Sequence, residues 1–153
     1  MFEEYPRSTV RIGGHPIHPM LVPFPIALFF ATLVTDIVYW QTADIMWADF
    51  SDWLLTVGLI ISIFVVLAGL GDFFGDRRIR ALPQAWIHGL GNALALVLAI
   101  INAFVHTRDA YTSVVPQGLI LSALVVLILL VTVWMGRDMV FRGRVGMQPV
   151  LRS

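Results

Sequence analysis

The sequence predicts an all-α integral membrane protein, an antiparallel four-helix transmembrane bundle. Two observations lead to this prediction. The 153 residues are 58% hydrophobic and only 13% charged, about half of the roughly 25% charge found in an average soluble domain. The apolar residues are also concentrated in four continuous runs, each close to the roughly 20 residues that a helix needs to cross a bilayer core of about 30 Å.

The four apolar runs place the expected spans at residues 20–40, 53–71, 84–106 and 117–136. The runs are continuous, whereas a transmembrane β-strand would alternate polar and apolar residues. Helices also satisfy their own backbone hydrogen bonds inside lipid. The three connections are short, so sequential helices are expected to lie side by side. We find no linker, and residues 1–153 are expected to form a single domain.

The basic residues predict the topology. All ten are Arg, and nine of them precede the first run, separate the second from the third, or follow the fourth. These nine are Arg7, Arg11, Arg77, Arg78, Arg80, Arg137, Arg142, Arg144 and Arg152. By the positive-inside rule both termini are cytoplasmic, and the loop at residues 41–52 lies outside. The first twenty residues contain no apolar stretch typical of a cleavable signal peptide, so the first span is expected to stay as an anchor.

The composition excludes several functions. A formal charge of zero, without a basic face, argues against nucleic-acid binding. The absence of cysteine excludes disulfides and thiolate metal sites. We find no Ser-His-Asp arrangement, glycine-rich phosphate loop or HExxH motif, so no catalytic residue is predicted.

Polar and small residues follow one face of the third run at intervals of three and four. They are His88, Asn92, Ala95, Ala99, Asn102 and His106. Larger residues on the other faces are Leu96, Leu98, Ile100 and Ile101. Polar residues inside a membrane usually face neighbouring helices, so this stripe is expected to contact protein. Asp36 lies in the first run at about the same depth as Asn102 in the third. A contact of Asp36 with Asn102 or His106 is therefore expected. We interpret Asp36, Asn92, Asn102 and His106 as a structural polar network.

The most distinctive string is HPIHP at residues 15–19. Each His precedes Pro, which favours an extended or turn conformation. The topology places His15 and His18 on the same membrane face as Asp72 and His88, because an even number of crossings returns the chain to that face. Imidazoles are common ligands for haem and transition metals. One hypothesis is therefore haem b bound by His15, His18 and His88. A second is a metal ion bound by His15, His18, Asp72 and His88. A third is that the HPIHP segment hydrogen-bonds to neighbouring helix ends and caps the bundle without a cofactor.

Several short motifs carry a family resemblance. They are Gly14-His15-Pro16-Ile17-His18-Pro19, Phe24-Pro25-Ile26-Ala27, Thr35-Asp36, Gly71-Asp72, and His88 with Asn92. Together they resemble a family of bacterial predicted membrane proteins of unknown function, over roughly residues 13–136. The resemblance implies the four-helix fold and a bacterial inner membrane. It implies no activity.

Three functions remain open from the sequence. The first is a non-catalytic accessory or structural subunit of a respiratory or photosynthetic membrane complex. The second is a haem b- or metal-binding membrane protein, and the third is an oligomeric transporter or proton relay. The expected partners are the lipid bilayer and other membrane subunits or further copies of the chain, and no nucleic acid is expected.

Overall fold

The computed structural model describes residues 6–108, 110–142 and 145. Arg144 and Arg152, predicted as part of a cytoplasmic tail, lie outside the described residues. The elements in chain order are β1 Arg11–Ile12, β2 His15–Pro16, α1 Ile17–Leu21, α2 Pro23–Thr42, α3 Ile45–Gly75, α4 Arg77–Arg80, α5 Pro83–His106, a 3₁₀ turn Ala110–Ser113 and α6 Gln117–Phe141. Among these described residues, four helical segments are long and apolar enough to cross a membrane. The predicted all-α bundle is confirmed.

The four long helices form a closed ring. Helix α2 packs on α3 and on α6, while α5 packs on α6 and on α3. Consecutive long helices run in opposite directions because each connection is short. Both α2 and α5 begin with Pro, at Pro23 and Pro83, where the missing N–H would have no helical partner in any case.

Helix α3 begins at Ile45 rather than at residue 53. The Asp44 side chain accepts a hydrogen bond from the backbone N–H of Met46 and so caps the helix. Ala43 adopts a left-handed backbone conformation with φ of 53°, which ends α2 and reverses the chain. The loop expected at residues 41–52 is therefore mostly the first part of α3. Helix α6 likewise continues to Phe141, beyond the expected residue 136.

The core lies between the four long helices and contains both small and large side chains. Its buried members are Phe29, Leu55, Ala95, Ala99, Val125 and Leu129. The Phe29 ring fills the space above Gly58, where a Cβ atom would lie 2.8 Å from Cε1 of the ring. A side chain at position 58 would therefore displace the ring.

The polar stripe of α5 faces the bundle, as predicted. Ala95, Ala99, Asn102 and His106 are buried, while Ile100 and Ile101 are exposed. Leu96 and Leu98 differ from the prediction, because both are half-buried and pack against the core. Since α5 contacts two neighbouring helices, it buries a wider arc than a single stripe.

Candidate functional site

Two imidazole rings, the histidine pair of His18 and His88, meet at one end of the bundle. Their centroids are 6.3 Å apart and their planes are inclined by 85°. His18 lies on the short helix α1, which carries it into the bundle ahead of α2. His88 lies near the start of α5. Both side chains are half-buried.

Both rings are held through the same nitrogen atom. Nδ1 of His18 lies 3.0 Å from the carbonyl oxygen of Val65, and Nδ1 of His88 lies 2.8 Å from that of Thr132. Since a carbonyl oxygen only accepts, Nδ1 carries the proton in each ring and donates it. In a neutral imidazole this leaves the lone pair on Nε2. Among the described residues, neither Nε2 atom has a hydrogen-bond partner.

A glycine lies beneath each ring of the pair. A Cβ atom at Gly69 would lie 3.0 Å from Nδ1 of His18, and one at Gly136 would lie 3.0 Å from Cε1 of His88. Contacts that short are tighter than those of ordinary Cβ atoms. The two glycines therefore let the imidazoles approach α3 and α6 closely enough to reach the backbone carbonyls.

The other predicted ligands have different surroundings. His15 is exposed in the two-stranded hairpin, where it pairs with Ile12. The Asp72 carboxylate accepts hydrogen bonds from the Ser8 hydroxyl at 2.8 Å and from the backbone N–H of Thr9 and Val10 at 2.7 and 2.9 Å. Within the described part of the chain, no three His, Asp or Glu side chains are grouped to hold a metal ion. The structure thus brings together His18 and His88, without His15 or Asp72.

Asp72 instead fastens an N-terminal strap, residues 7–16, to the end of α3. The backbone N–H of Arg7 also donates to the Asp76 carboxylate at 2.9 Å. Gly71 and Gly75 allow the strap to lie directly on the helix, since a Cβ at either position would collide with Val10 or Thr9. Sequence reasoning missed this role of Asp72. The two glycines four residues apart were the available sign of a close approach.

A second polar group, the acid–histidine cluster, contains Asp36, Asn102, His106 and Ser122. Nε2 of His106 lies 3.0 Å from Oδ1 of Asp36, so the expected contact is present. The Ser122 hydroxyl donates to Oδ2 of Asp36 at 2.6 Å. Asn102 reaches Asp36 through this hydroxyl, to which its amide donates at 2.8 Å. Ser122 was missed by sequence reasoning, although it follows Gly118 by four residues on α6, as small residues at helix interfaces do.

Both ring nitrogen atoms of His106 have an oxygen partner. Nδ1 of His106 lies 3.0 Å from the backbone carbonyl oxygen of Asn102, and Nε2 faces the Asp36 carboxyl group. A backbone carbonyl oxygen only accepts, so Nδ1 donates to it. One further proton joins Nε2 to Oδ1 of Asp36, and the Ser122 hydroxyl hydrogen-bonds to Oδ2. With that proton on either partner the pair is neutral overall, which makes its burial in the bundle tolerable.

Asn92, predicted with this network, belongs to the histidine pair instead. Its amide donates to the carbonyl oxygen of His88 at 2.7 Å. Its side-chain oxygen accepts from the Thr132 hydroxyl at 3.3 Å, and the Thr132 backbone carbonyl is the acceptor for His88. Asn92 therefore ties α5 to α6 beside His88.

Comparison with known proteins agrees with the fold and with the motif resemblance. The family model described as predicted membrane protein (DUF2231) matches residues 14–149, which include the histidine pair and the acid–histidine cluster. No curated protein and no solved structure matches the chain. The chain therefore belongs to the DUF2231 family of predicted membrane proteins.

Proposed function

We propose that this membrane protein binds a transition-metal centre, a haem b iron or a single metal ion, between the Nε2 atoms of His18 and His88. The observation that carries the proposal is that both rings donate Nδ1–H to a backbone carbonyl while Nε2 has no partner among the described residues. Metal-bound imidazoles usually make this second hydrogen bond, which fixes the tautomer and aims the ligating nitrogen.

The separation of the rings supports the same proposal. Two imidazoles that share one metal ion have centroids about 6 Å apart, because each metal–nitrogen bond is about 2.0–2.1 Å long. The observed centroid distance is 6.3 Å. This agreement between the two distances supports the proposal.

The ligand number favours a centre that needs only two protein donors. A haem iron meets this condition because the porphyrin supplies four ligands, and a single ion meets it with solvent or with low coordination. Neutral imidazole suits iron, copper and zinc alike. His18 and His88 would hold the centre, with Val65 and Thr132 orienting them.

Replacing either histidine is expected to abolish binding. The purified protein would be titrated with haemin, with a copper salt and with a zinc salt, and followed by absorption spectroscopy and elemental analysis. His18→Ala and His88→Ala should each lose the bound centre, while His15→Ala and His106→Ala should keep it as matched controls. A Soret band would identify haem, and stoichiometric metal without that band would identify an ion. Full binding by His18→Ala, or none by the parent protein, would overturn the proposal.

We also propose that the chain lies in a bacterial inner membrane with the histidine pair at the cytoplasmic face. The distribution of Arg residues supports the orientation, and the family resemblance of the motifs supports the bacterial inner membrane. Roles as an accessory subunit, in self-association, or as an oligomeric transporter or proton relay stay predictions.

Cysteine labelling tests this orientation, since the native chain has no Cys. Ser51 lies in the segment expected outside but is fully buried, so the exposed Asp49 of α3 is the better position there. Asp49→Cys should react with an impermeant maleimide in intact cells. Arg77 is exposed at the start of α4, just after the other end of α3, and Arg77→Cys should react only after permeabilisation. The reverse pattern would contradict the orientation.

A further inference from the structure

We infer that the chain consists of two equivalent helical hairpins related by a pseudo-two-fold axis along the bundle. The packing surface of each hairpin is complementary to that of the other. The first hairpin is α1–α3 and the second is α5–α6. This inference rests on packing and is independent of metal binding.

The buried positions of α2 recur in α5. Asp36 and His106 are 70 residues apart, and the same separation relates four further pairs of buried residues. The five pairs are Pro25 and Ala95, Phe29 and Ala99, Thr32 and Asn102, Thr35 and Val105, and Asp36 and His106. The two helices therefore turn the same face toward the core, residue for residue.

The buried positions of α3 recur in α6 in the same way. The number of residues between the two members is the same in every pair, and differs from the 70 of the first series. The pairs are Ser51 and Gly118, Leu55 and Ser122, Gly58 and Val125, and Ser62 and Leu129. Within each hairpin the long helices pack extensively on one another, and the hairpins meet through α2 with α6 and through α3 with α5. This is the arrangement of two like units packed face to face.

Individual contacts repeat as well. Each histidine of the pair bonds to a backbone carbonyl of the second long helix of its hairpin, and lies over a glycine four residues later on that helix. The first set is His18 with Val65 and Gly69, and the second is His88 with Thr132 and Gly136. These partners continue the α3 and α6 series, so the equivalence extends to hydrogen bonds.

Residues that touch their own equivalents locate the axis. In a two-fold arrangement only residues near the axis meet their counterparts, because all other contacts join unlike positions. His18 contacts its equivalent His88, and Asp36 contacts its equivalent His106. The axis therefore passes through the histidine pair and through the acid–histidine cluster.

Unlike residues at equivalent positions make each hairpin fit the other rather than a copy of itself. Two first hairpins would place two Asp36 carboxylates together, and two second hairpins would place two His106 rings together, both unfavourable when charged. Core volume is also distributed differently. The first hairpin has a large Phe29 over Gly58, and the second has Ala99 and Val125 at the same positions.

The equivalence predicts how the second hairpin responds to a larger side chain at position 99. If Ala99 corresponds to Phe29, a Phe at position 99 would be directed over residue 125. Ala99→Phe alone should lower the thermal midpoint of the full-length protein by about 3–10 °C through overpacking. Adding Val125→Gly should raise the midpoint above that of the single variant, because it recreates the Phe29–Gly58 arrangement.

The matched control is Ala99→Phe with Val126→Gly. Val126 is buried like its neighbour, with 7% of its surface exposed against 2% for Val125, and a Gly there carries the same helix penalty. This double variant should be no more stable than Ala99→Phe. Equal recovery with both glycines, or no recovery with Val125→Gly, would overturn the equivalence. Since the readout is a thermal midpoint without added metal, the result is separate from that of metal binding.

Discussion

Replacing Asp36 with Ala is expected to lower the free energy of unfolding by about 3–5 kcal/mol, because it breaks the buried Asp36–His106 pair and leaves the His106 ring without its partner. Asp36 is 0% exposed, so its oxygen atoms hydrogen-bond to protein groups out of reach of bulk water. The Ser122 hydroxyl loses its acceptor in the same variant. Chemical or thermal unfolding in detergent measures the loss.

Two further variants isolate the contribution of the pair. Thr35→Ala removes a neighbouring buried side chain and its 2.7 Å hydrogen bond to Ser51, and should cost about 1 kcal/mol as a neutral hydrogen bond does. Asp36→Ala with His106→Ala should cost less than the sum of the single changes, since neither partner is then left buried and unpaired. If Asp36→Ala cost no more than Thr35→Ala, the stabilising role of the Asp36–His106 pair would be contradicted.

Replacing Asp72 with Ala is expected to release the N-terminal strap and to cost about 2–4 kcal/mol. Hydrogen bonds to a charged group contribute about 1.5–3 kcal/mol each. Ser8, Thr9 and Val10 all lose their acceptor, and the total is reduced because this end of the bundle is partly exposed. Hydrogen exchange should show faster exchange of the Thr9 and Val10 amides.

Asp138→Ala is the control for Asp72. Asp138 makes an exposed pair with Arg142 at 3.4 Å one turn along α6, and such pairs contribute about 0.3–0.5 kcal/mol. Its removal should leave the strap amides protected. Unchanged exchange in Asp72→Ala would show that the strap is held by other contacts.

The helical spans and the buried face of α5 depend on interactions between residues close in sequence, so both could be predicted from the sequence. A continuous apolar run in lipid must form a helix, because no other open-ended structure satisfies its backbone. The period of three and four residues similarly assigned Ala95, Ala99 and Asn102 to one buried face. Helix ends were predicted less well. Residues 45–52 were predicted to be part of a loop because they contain several polar residues. In the structure Asp44 caps α3, so these residues form its first turns.

The sequence by itself determined the number of spans, the buried face of α5 and the depth at which Asp36 could meet His106. Only the tertiary structure decided that His18 pairs with His88, that Asp72 binds the strap rather than the histidines, and that Ser122 links Asn102 to Asp36. The physical reason is that these contacts join residues far apart in the sequence. The Asp72 and Ser122 hydrogen bonds join residues 64 and 86 positions apart. Their formation depends on close approaches at glycines such as Gly71, which lies against Val10, and Gly118, which lies against His106, and no local period specifies these approaches.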